Sequence, residues 1–396
     1  ELRYDTDDTS RVRIVFRLHA GTTLAALDLS RLRLFLHAES TVASTAHLLL
    51  TRHVTRVEAR TGSALDARPG EDGPPRLTIQ GQRGVQPAGL EDAVLPHGDA
   101  LPTGLRLLQE MLLFRRKFWQ VDVVGLAALT EADPDAGQFA IDIVFDRSYP
   151  EDRRLLAEHV RLGCTPAVNL FDHDAEPMIA EHTWAEQRVI PSLQQRRSIE
   201  AYDVTGVVGT EKASARTWTY ARSFGLSSGA ERAYDVLRRP GATPGLDLYL
   251  QLASPDLDAG VPVPETLSVA MRCTNGALPY ELLQPGMVSR LAPSAPQIAA
   301  VANLDRPSMI QRPPVDRHPD LLWALLAHWS FGHGSVATRE AVVGLLDLYD
   351  WADTTASRRR RSGIRDVRWE AAETTHRGAV RRGAHVTIDV ADGHFS

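Results

Sequence analysis

Arg11-Val12-Arg13-Ile14-Val15-Phe16-Arg17-Leu18 alternates apolar bulk with charge, the two-residue period of a half-buried strand. Val12, Ile14, Phe16 and Leu18 fall on one side; Arg11, Arg13 and Arg17 fall on the other. Arg31 to His37 repeats the pattern, a helix is expected over Thr41 to Leu50, and Val54 to Ala59 reads as another strand. Beyond a Gly-, Pro- and charge-rich loop from Thr61 to Gly73, strands are expected near Leu77 to Ile79 and Ala93 to Leu95. Leu101, Leu105, Leu108 and Leu112 carry the helical spacing of a segment running to Phe114. Strands follow at Phe118 to Val124 and Phe139 to Phe145. Pro150, with Glu151 and Asp152 behind it, is expected to open a helix reaching about Leu162.

Between Thr165 and Asp258 the pattern is mainly short strands separated by turns: Ile199 to Val208, Thr217 to Ser223 and Leu246 to Leu252. Such density favours an antiparallel β domain over a parallel α/β one. Seven prolines between Pro285 and Pro319 leave little room for regular elements, so a linker or extended crossing is expected there. Asp320 is expected to cap an apolar helix to about Trp329, and Thr338 a second from Arg339 to Tyr349. Arg358 to Arg361 reads as a solvated loop or a salt-bridging interface patch before strands Ile364 to Trp369 and His385 to Val390. The chain is therefore expected to be α+β and β-rich, several small domains of antiparallel strands with short packed helices. The expected division is an α+β domain at 1–163, a mainly antiparallel β domain at 164–290, a Pro-rich linker at 291–319 and a C-terminal helix-strand domain at 320–396.

Composition narrows the function classes. With 396 residues, 43% hydrophobic and 24% charged, the chain is long enough to bury cores without disulfides or metals. A formal net charge of −6 gives no electrostatic reason to expect nucleic-acid binding. Only Lys117 and Lys212 are lysines, so nearly all the positive charge is arginine. Cys164 and Cys273 stand far apart and outside any CxxC pair, which fits a reduced, cytoplasmic setting. No apolar run approaches the ~20 residues that cross a bilayer, so no direct membrane insertion is expected. The start at Glu1 has neither methionine nor signal-peptide core and reads as internal, making the chain a fragment.

Few constellations point to chemistry. Gly225-Leu226-Ser227-Ser228-Gly229 matches the G-x-S-x-G nucleophile elbow, and Ala230 to Leu237 could be the helix that such an elbow needs. A serine hydrolase using Ser227 is thus the alternative reading, although the parallel strand-helix-strand context is missing. His328 with His333 and His173 with His182 lack the i, i+4 spacing of helical zinc ligands. Asp172-His173-Asp174 lacks the Gly and terminal Glu of a calcium loop. No Gly-rich phosphate cradle is present. No catalytic, cofactor-binding or metal-binding residue is therefore assigned.

Two other segments stand out. Cys164-Thr165-Pro166-Ala167-Val168-Asn169-Leu170-Phe171 joins a helix end to an extended apolar run. Cys273-Thr274-Asn275-Gly276-Ala277-Leu278-Pro279 ends a strand in an Asn-Gly turn followed by an apolar anchor. Both read as corners that define the fold, because neither places a base beside its cysteine. The first resembles the "CTPAVNLF" signature of the TssF family of type VI secretion systems, and the second its "CTNxxLP" turn. Leu107-Leu108-Gln109-Glu110 through Phe114, then Lys117-Phe118 and Asp122 to Leu126, is similar to the family's "LLQEYFAFPEKF…DLxGL" block. Leu34 to Leu50 also resembles a strand-helix region of the family. Arg115-Arg116 stands where the family has Pro-Glu, and Ser330-Phe331-Gly332-His333 departs from its Leu-Asn-rich helix end.

The resemblance implies a non-enzymatic wedge subunit of a contractile injection system. It implies assembly with TssG, a second TssF copy, TssK and TssE, in a cytoplasmic baseplate docked at the membrane. It also implies longer family ends on both sides of this chain.

Overall fold

A computed structural model describes residues 2–4, 10–62, 65, 74–91, 93–95, 103–181, 185–195, 197–212, 214–223, 232–241, 245–253, 263–291, 298–314, 318–331, 338–376 and 379–394. Two compact units result: Glu1–Ala167 with Gln311–Ser396, and Val168–Ile310.

The first unit begins with β1 (Leu2–Tyr4), β2 (Arg11–Arg17), β3 (Arg31–Leu36), α1 (Ser40–Arg52), β4 (Val54–Thr61), β5 (Leu77–Gln80) and β6 (Val85–Pro87). It continues with α2 (Thr103–Leu113), β7 (Gln120–Val124), α3 (Ala127–Ala132), β8 (Gln138–Phe145) and β9 (Val160–Arg161). Two antiparallel sheets form, in orders β1-β2-β8-β4-β5 and β6-β7-β3-β9. Their apolar faces share one core: Val12, Ile14, Val57, Ile141 and Ile143 come from the first sheet, Leu34, Leu36, Val121 and Val123 from the second. Ala43, Ala46, Leu49 and Leu50 add one helical face of α1.

The arginines of β2 face away from that core, yet Arg13 is fully buried and Arg11 largely so, while Arg17 is exposed. Arg13 sits opposite Asp142 in the β2–β8 register and donates to both carboxylate oxygens, at 2.6 and 2.8 Å. Arg60 reaches the same carboxylate at 3.0 Å and Glu58 at 3.1 Å. Burial pushes the Glu58 carboxyl up, but Arg56, Arg11 and Arg60 outweigh burial and hold it below its ordinary value. The second sheet uses the same device: Arg33 sits opposite Asp122 and donates to it at 2.8 and 2.9 Å.

The second unit contains β10 (Phe171–Asp174), β11 (Met178–Ala180), β12 (Gln187–Arg188), β13 (Glu200–Glu211), β14 (Thr217–Arg222), β15 (Ala233–Pro240), β16 (Leu246–Ala253), β17 (Glu265–Thr274) and α4 (Leu278–Leu282). These strands make one sheet, β10-β17-β13-β14-β15-β16-β12, with β11 also on β17. Its pairings are antiparallel except β14 with β15. Val204 and Val207 of β13, Leu248 and Leu250 of β16, and Leu267, Val269 and Met271 of β17 pack in one cluster. Strands from both halves of the sheet meet there, so the sheet curls around its own core. Gly209 makes room for a buried acid, since a Cβ there would lie 2.0 Å from Glu265 Oε2. Glu265 accepts the Tyr220 hydroxyl and the Arg232 guanidinium at 3.0 Å, while Arg232 also stacks 4.4 Å from the Trp218 ring.

The chain then adds α5 (Leu321–Phe331), α6 (Arg339–Tyr349), α7 (Thr355–Ser362) and the long antiparallel hairpin of β18 (Ile364–His376) and β19 (Ala379–Val390) to the first unit. The α+β, β-rich class expected from alternation is what forms.

Several local expectations are corrected. The segment from Pro150 to Leu162 is not a helix but two 3-10 turns, Glu151–Arg153 and Ala157–His159, leading into β9. Tertiary contacts override its propensity: the Leu155 amide donates to the Tyr4 hydroxyl at 2.6 Å, and Val160 pairs with Leu36. Val94 and Leu95 join no strand, because the Glu110 carboxylate takes their amides at 2.9 and 3.3 Å. Arg358 to Arg361 lies on α7 rather than in a loop. There Arg361 is enclosed by Asp347, Asp350 and Asp353, and Thr354 caps the helix by accepting the Ser357 amide at 3.1 Å.

Removing Asp142 takes the bidentate carboxylate from buried Arg13 and one of the carboxylates from buried Arg60, so Asp142→Ala should lower unfolding free energy by about 3–5 kcal/mol. Arg382→Ala, on an exposed hairpin pair, should stay within about 0.5 kcal/mol. Urea unfolding followed by circular dichroism checks both values, and equal losses would contradict the burial argument.

Candidate assembly site

Residues of the two Cys-containing segments meet although they lie more than a hundred positions apart. Asn169 Oδ1 accepts the Thr274 hydroxyl at 2.8 Å and the Asn275 amide at 2.7 Å. Its Nδ2 donates to Asn275 Oδ1 at 3.0 Å. Asn275 Nδ2 in turn donates to the Ser198 carbonyl at 2.7 Å. Two paired carboxamides thereby tie the entry to β10, the end of β17 and the approach to β13.

The local sequence explains how the turn forms. Asn275 accepts the Leu278 amide at 3.2 Å through its backbone carbonyl, and Gly276 takes φ +59°, a left-handed conformation that favours glycine. A Cβ at Gly276 would also approach Glu200 Oε2 to 2.9 Å. Pro279 sits in the first turn of α4, where a missing N–H costs no helical bond.

The other motif residues have different surroundings. Cys273 is fully buried opposite Phe171 and Ala201, and burial pushes its thiol up to about 11. Cys164 is half-buried, with its thiol raised for the same reason, and its Sγ donates to the Leu162 carbonyl at 3.6 Å. Thr165 bonds the Pro166 carbonyl at 3.4 Å, and the Leu170 amide turns back to Val168 at 3.0 Å. Cys164 to Ala167 belong to the first unit and Val168 onward to the second, so this segment is a crossing whose Asn169 end is anchored.

The third motif block contains a buried ion pair. Lys117 donates to Glu110, and both side chains are about fully buried. Burial raises the Glu110 carboxyl, but the Lys117 bond and the Val94 and Leu95 amides outweigh it and hold the group below its usual value. Phe118 and Trp119 are buried beside it.

Burial raises both thiols, half-buried Cys164 and fully buried Cys273, which favours their protonated forms. Among the described residues no group of His, Cys, Asp and Glu could hold a metal ion. His173 bonds the Pro191 carbonyl at 3.1 Å at an open groove of ≈ 460 Å³ also lined by Asp172, Asp174 and Arg272. His328 packs edge-on against Tyr349. His182, His333 and Gly225-Leu226-Ser227-Ser228-Gly229 lie outside the described residues. The segment expected to supply a helix after Ser227 instead supplies β15, so the strand-turn-helix frame of a nucleophile elbow is not formed.

The family model for "Type VI secretion system, TssF" matches residues 2–396. A chain in the cryo-electron microscopy structure of a type VI secretion TssK-TssF-TssG baseplate subcomplex is 27% identical, with TM-score 0.77, and the match covers 100% of this chain and 71% of that one. A chain of another structure, the baseplate complex of the type VI secretion system, is 25% identical with TM-score 0.57, covering 89% of this chain and 60% of that one. No curated protein matches the chain.

Asn169→Ala and Asn275→Ala should each destabilise the chain, and their double-mutant coupling should fall at about 0.5–3 kcal/mol. Asn169→Asp keeps the acceptor but sets oxygen against Asn275 Oδ1, so it should also lose stability. Additive single effects in chemical denaturation would contradict a shared network. Glu110 has a depressed folded pKa, so its stabilisation is present above its unfolded value and lost as pH falls through the folded one. Glu110→Gln should lower the melting temperature at pH 7 and flatten its decline below about pH 4.5, as scanning fluorimetry across that range would register.

Proposed function

The chain belongs to the TssF family of type VI secretion systems, and on that premise we propose that it acts as a structural wedge subunit of the baseplate, without catalysis of its own. The observation that carries this reading is the match of the whole chain to a member of a TssK-TssF-TssG baseplate subcomplex. Its partners are then TssG and TssK, with a second TssF copy and TssE following from the family resemblance. The working site is the cytoplasmic baseplate docked at the membrane. No helix among the described residues is long and apolar enough to cross a membrane.

The physical chemistry fits a scaffold. The exposed Asn169–Asn275 junction and the buried Glu110–Lys117 and Arg13–Asp142 pairs fix local chain paths, and the groups that would serve catalysis are spent on structure. The surface of the described residues meanwhile carries exposed apolar side chains. Helix α5 is apolar nearly all round, a composition expected of a covered helix, yet Trp323 is 71% exposed, and Leu322 and Leu326 are exposed with it. On the β18–β19 hairpin, Trp369, Val386 and Ile388 are exposed on one face. Burial of a few such anchors supplies most of the affinity in protein interfaces.

Co-expression with the TssG and TssK proteins of the same system should give a complex that co-elutes in size-exclusion chromatography with a mass containing all three. Separate elution of this chain would overturn the assignment. A fluorophosphonate probe should leave the chain unlabelled; labelling that disappears in Ser227→Ala would restore the hydrolase reading.

A further inference from the structure

Several covered arginines of the first unit have carboxylates beside them: Arg13 has Asp142, Arg33 has Asp122, and Arg361 has Asp347, Asp350 and Asp353. Arg115 and Arg360 depart from that arrangement. Both are half-buried, yet among the described residues neither forms an ion pair or a hydrogen bond. The contrast is sharpest within α7, where Arg358 lies 3.6 Å from Asp353, Arg359 donates to the Gly393 carbonyl, and Arg361 takes the three aspartates. Of the four arginines in that run, Arg360 is left over.

The packing of the helices brings these two guanidinium groups together. Helix α2 packs against α6 and runs on through Phe114 into the 3-10 turn Arg115–Phe118, which Lys117 pins back to Glu110 of α2. Arg361 ties α7 to the same α6 through Asp347, at 2.6 Å. Arg115 and Arg360 therefore share one neighbourhood: burial lowers the Arg115 guanidinium from its ordinary value, and the adjacent Arg360 charge lowers it further. Two like charges partly withdrawn from water cost stability unless a counter-charge is supplied. The aspartates that α7 reaches are already committed to Arg358 and Arg361.

We propose that Arg115 and Arg360 form a binding site for a free phosphate dianion, which clips α7 to the turn that follows α2. Each guanidinium carries one positive charge and a planar fork of donors. A phosphate dianion matches both charges and has oxygens enough to accept from both forks. A single carboxylate has one charge and two oxygens, which suit one fork, as Asp122 suits Arg33; it would leave the second guanidinium without a partner. The clip has a structural consequence, because α7 passes through Gly363 directly into β18. An ion held there fixes the root of the β18–β19 hairpin against the rest of the first unit.

The test is calorimetric unfolding of the full chain in chloride or inorganic phosphate at equal ionic strength, for the wild type, Arg115→Gln, Arg360→Gln and the neighbouring Arg358→Gln. Phosphate should raise the melting temperature saturably in the wild type and in Arg358→Gln, and titration calorimetry should show binding about tenfold weaker in the other two variants. The general stabilisation that phosphate gives by exclusion from protein surfaces does not saturate and is common to all of them. In chloride alone Arg360→Gln should melt above the wild type, since it removes a repulsion; an arginine that merely supports the fold would give the opposite sign. An equal phosphate response in every variant, no response in any, or an Arg360→Gln that melts below the wild type in chloride overturns the site. The same saturable rise with acetate would assign the pair to carboxylates and overturn it too. So would flotation with phosphatidylcholine–phosphatidic acid vesicles that is lost in Arg360→Gln while free phosphate has no effect. Should Arg115→Gln not fold, Arg360→Gln carries the test.

Discussion

The second unit depends on one carboxamide. Asn169 precedes β10 by two residues and β17 ends at Thr274, so its three bonds fix where one strand starts against where the other stops. Strand register tolerates no error of one residue, because such a slip exchanges the two faces. In β17 that exchange would replace Leu267, Val269, Met271 and Cys273 in the core by Thr266, Ser268, Ala270 and Arg272. Since β17 pairs with β10, β11 and β13, the error would spread through half the sheet.

The first unit solves the same problem with charge. Arg13 faces Asp142 across β2–β8, and Arg33 faces Asp122 across β3–β7. A shifted register would leave a carboxylate on a covered face without its guanidinium, which costs far more than a missed apolar contact. Hydrophobic alternation says which face is inward; the ion pairs say which residue stands opposite which. These pairs thus contribute register specificity to an arrangement whose bulk stabilisation comes from the shared core.

Alternation made most of the strands legible. Arg11 to Leu18 and Phe139 to Phe145 lie near where the pattern puts them, and the Thr338 cap of α6 forms as the sequence implies. What stayed hidden depends on distant partners. Nothing within Ala93 to Leu95 announces that Glu110 will take its amides, and nothing near Pro150 announces Tyr4. Ala233 to Pro240 has both polar and apolar residues at strand and helix spacing, and only pairing along β16 decides it. The Asn169–Asn275 contact was legible as two corners that carry a family resemblance; their meeting was not, because asparagine side-chain bonds leave no periodic signal.

The contrast between arginine and lysine follows from the same geometry. Arg13 and Arg33 each present two parallel donors to a carboxylate across adjacent strands, which suits a planar fork. Lys117, one of two lysines in the chain, pairs with a Glu110 whose other oxygen already accepts two backbone amides. Only one oxygen remains, so a compact point charge fits where a planar fork would find no pair of free oxygens to match. Whatever the origin of the chain's arginine-rich composition, the lysine at this position follows from the number of acceptors left to pair.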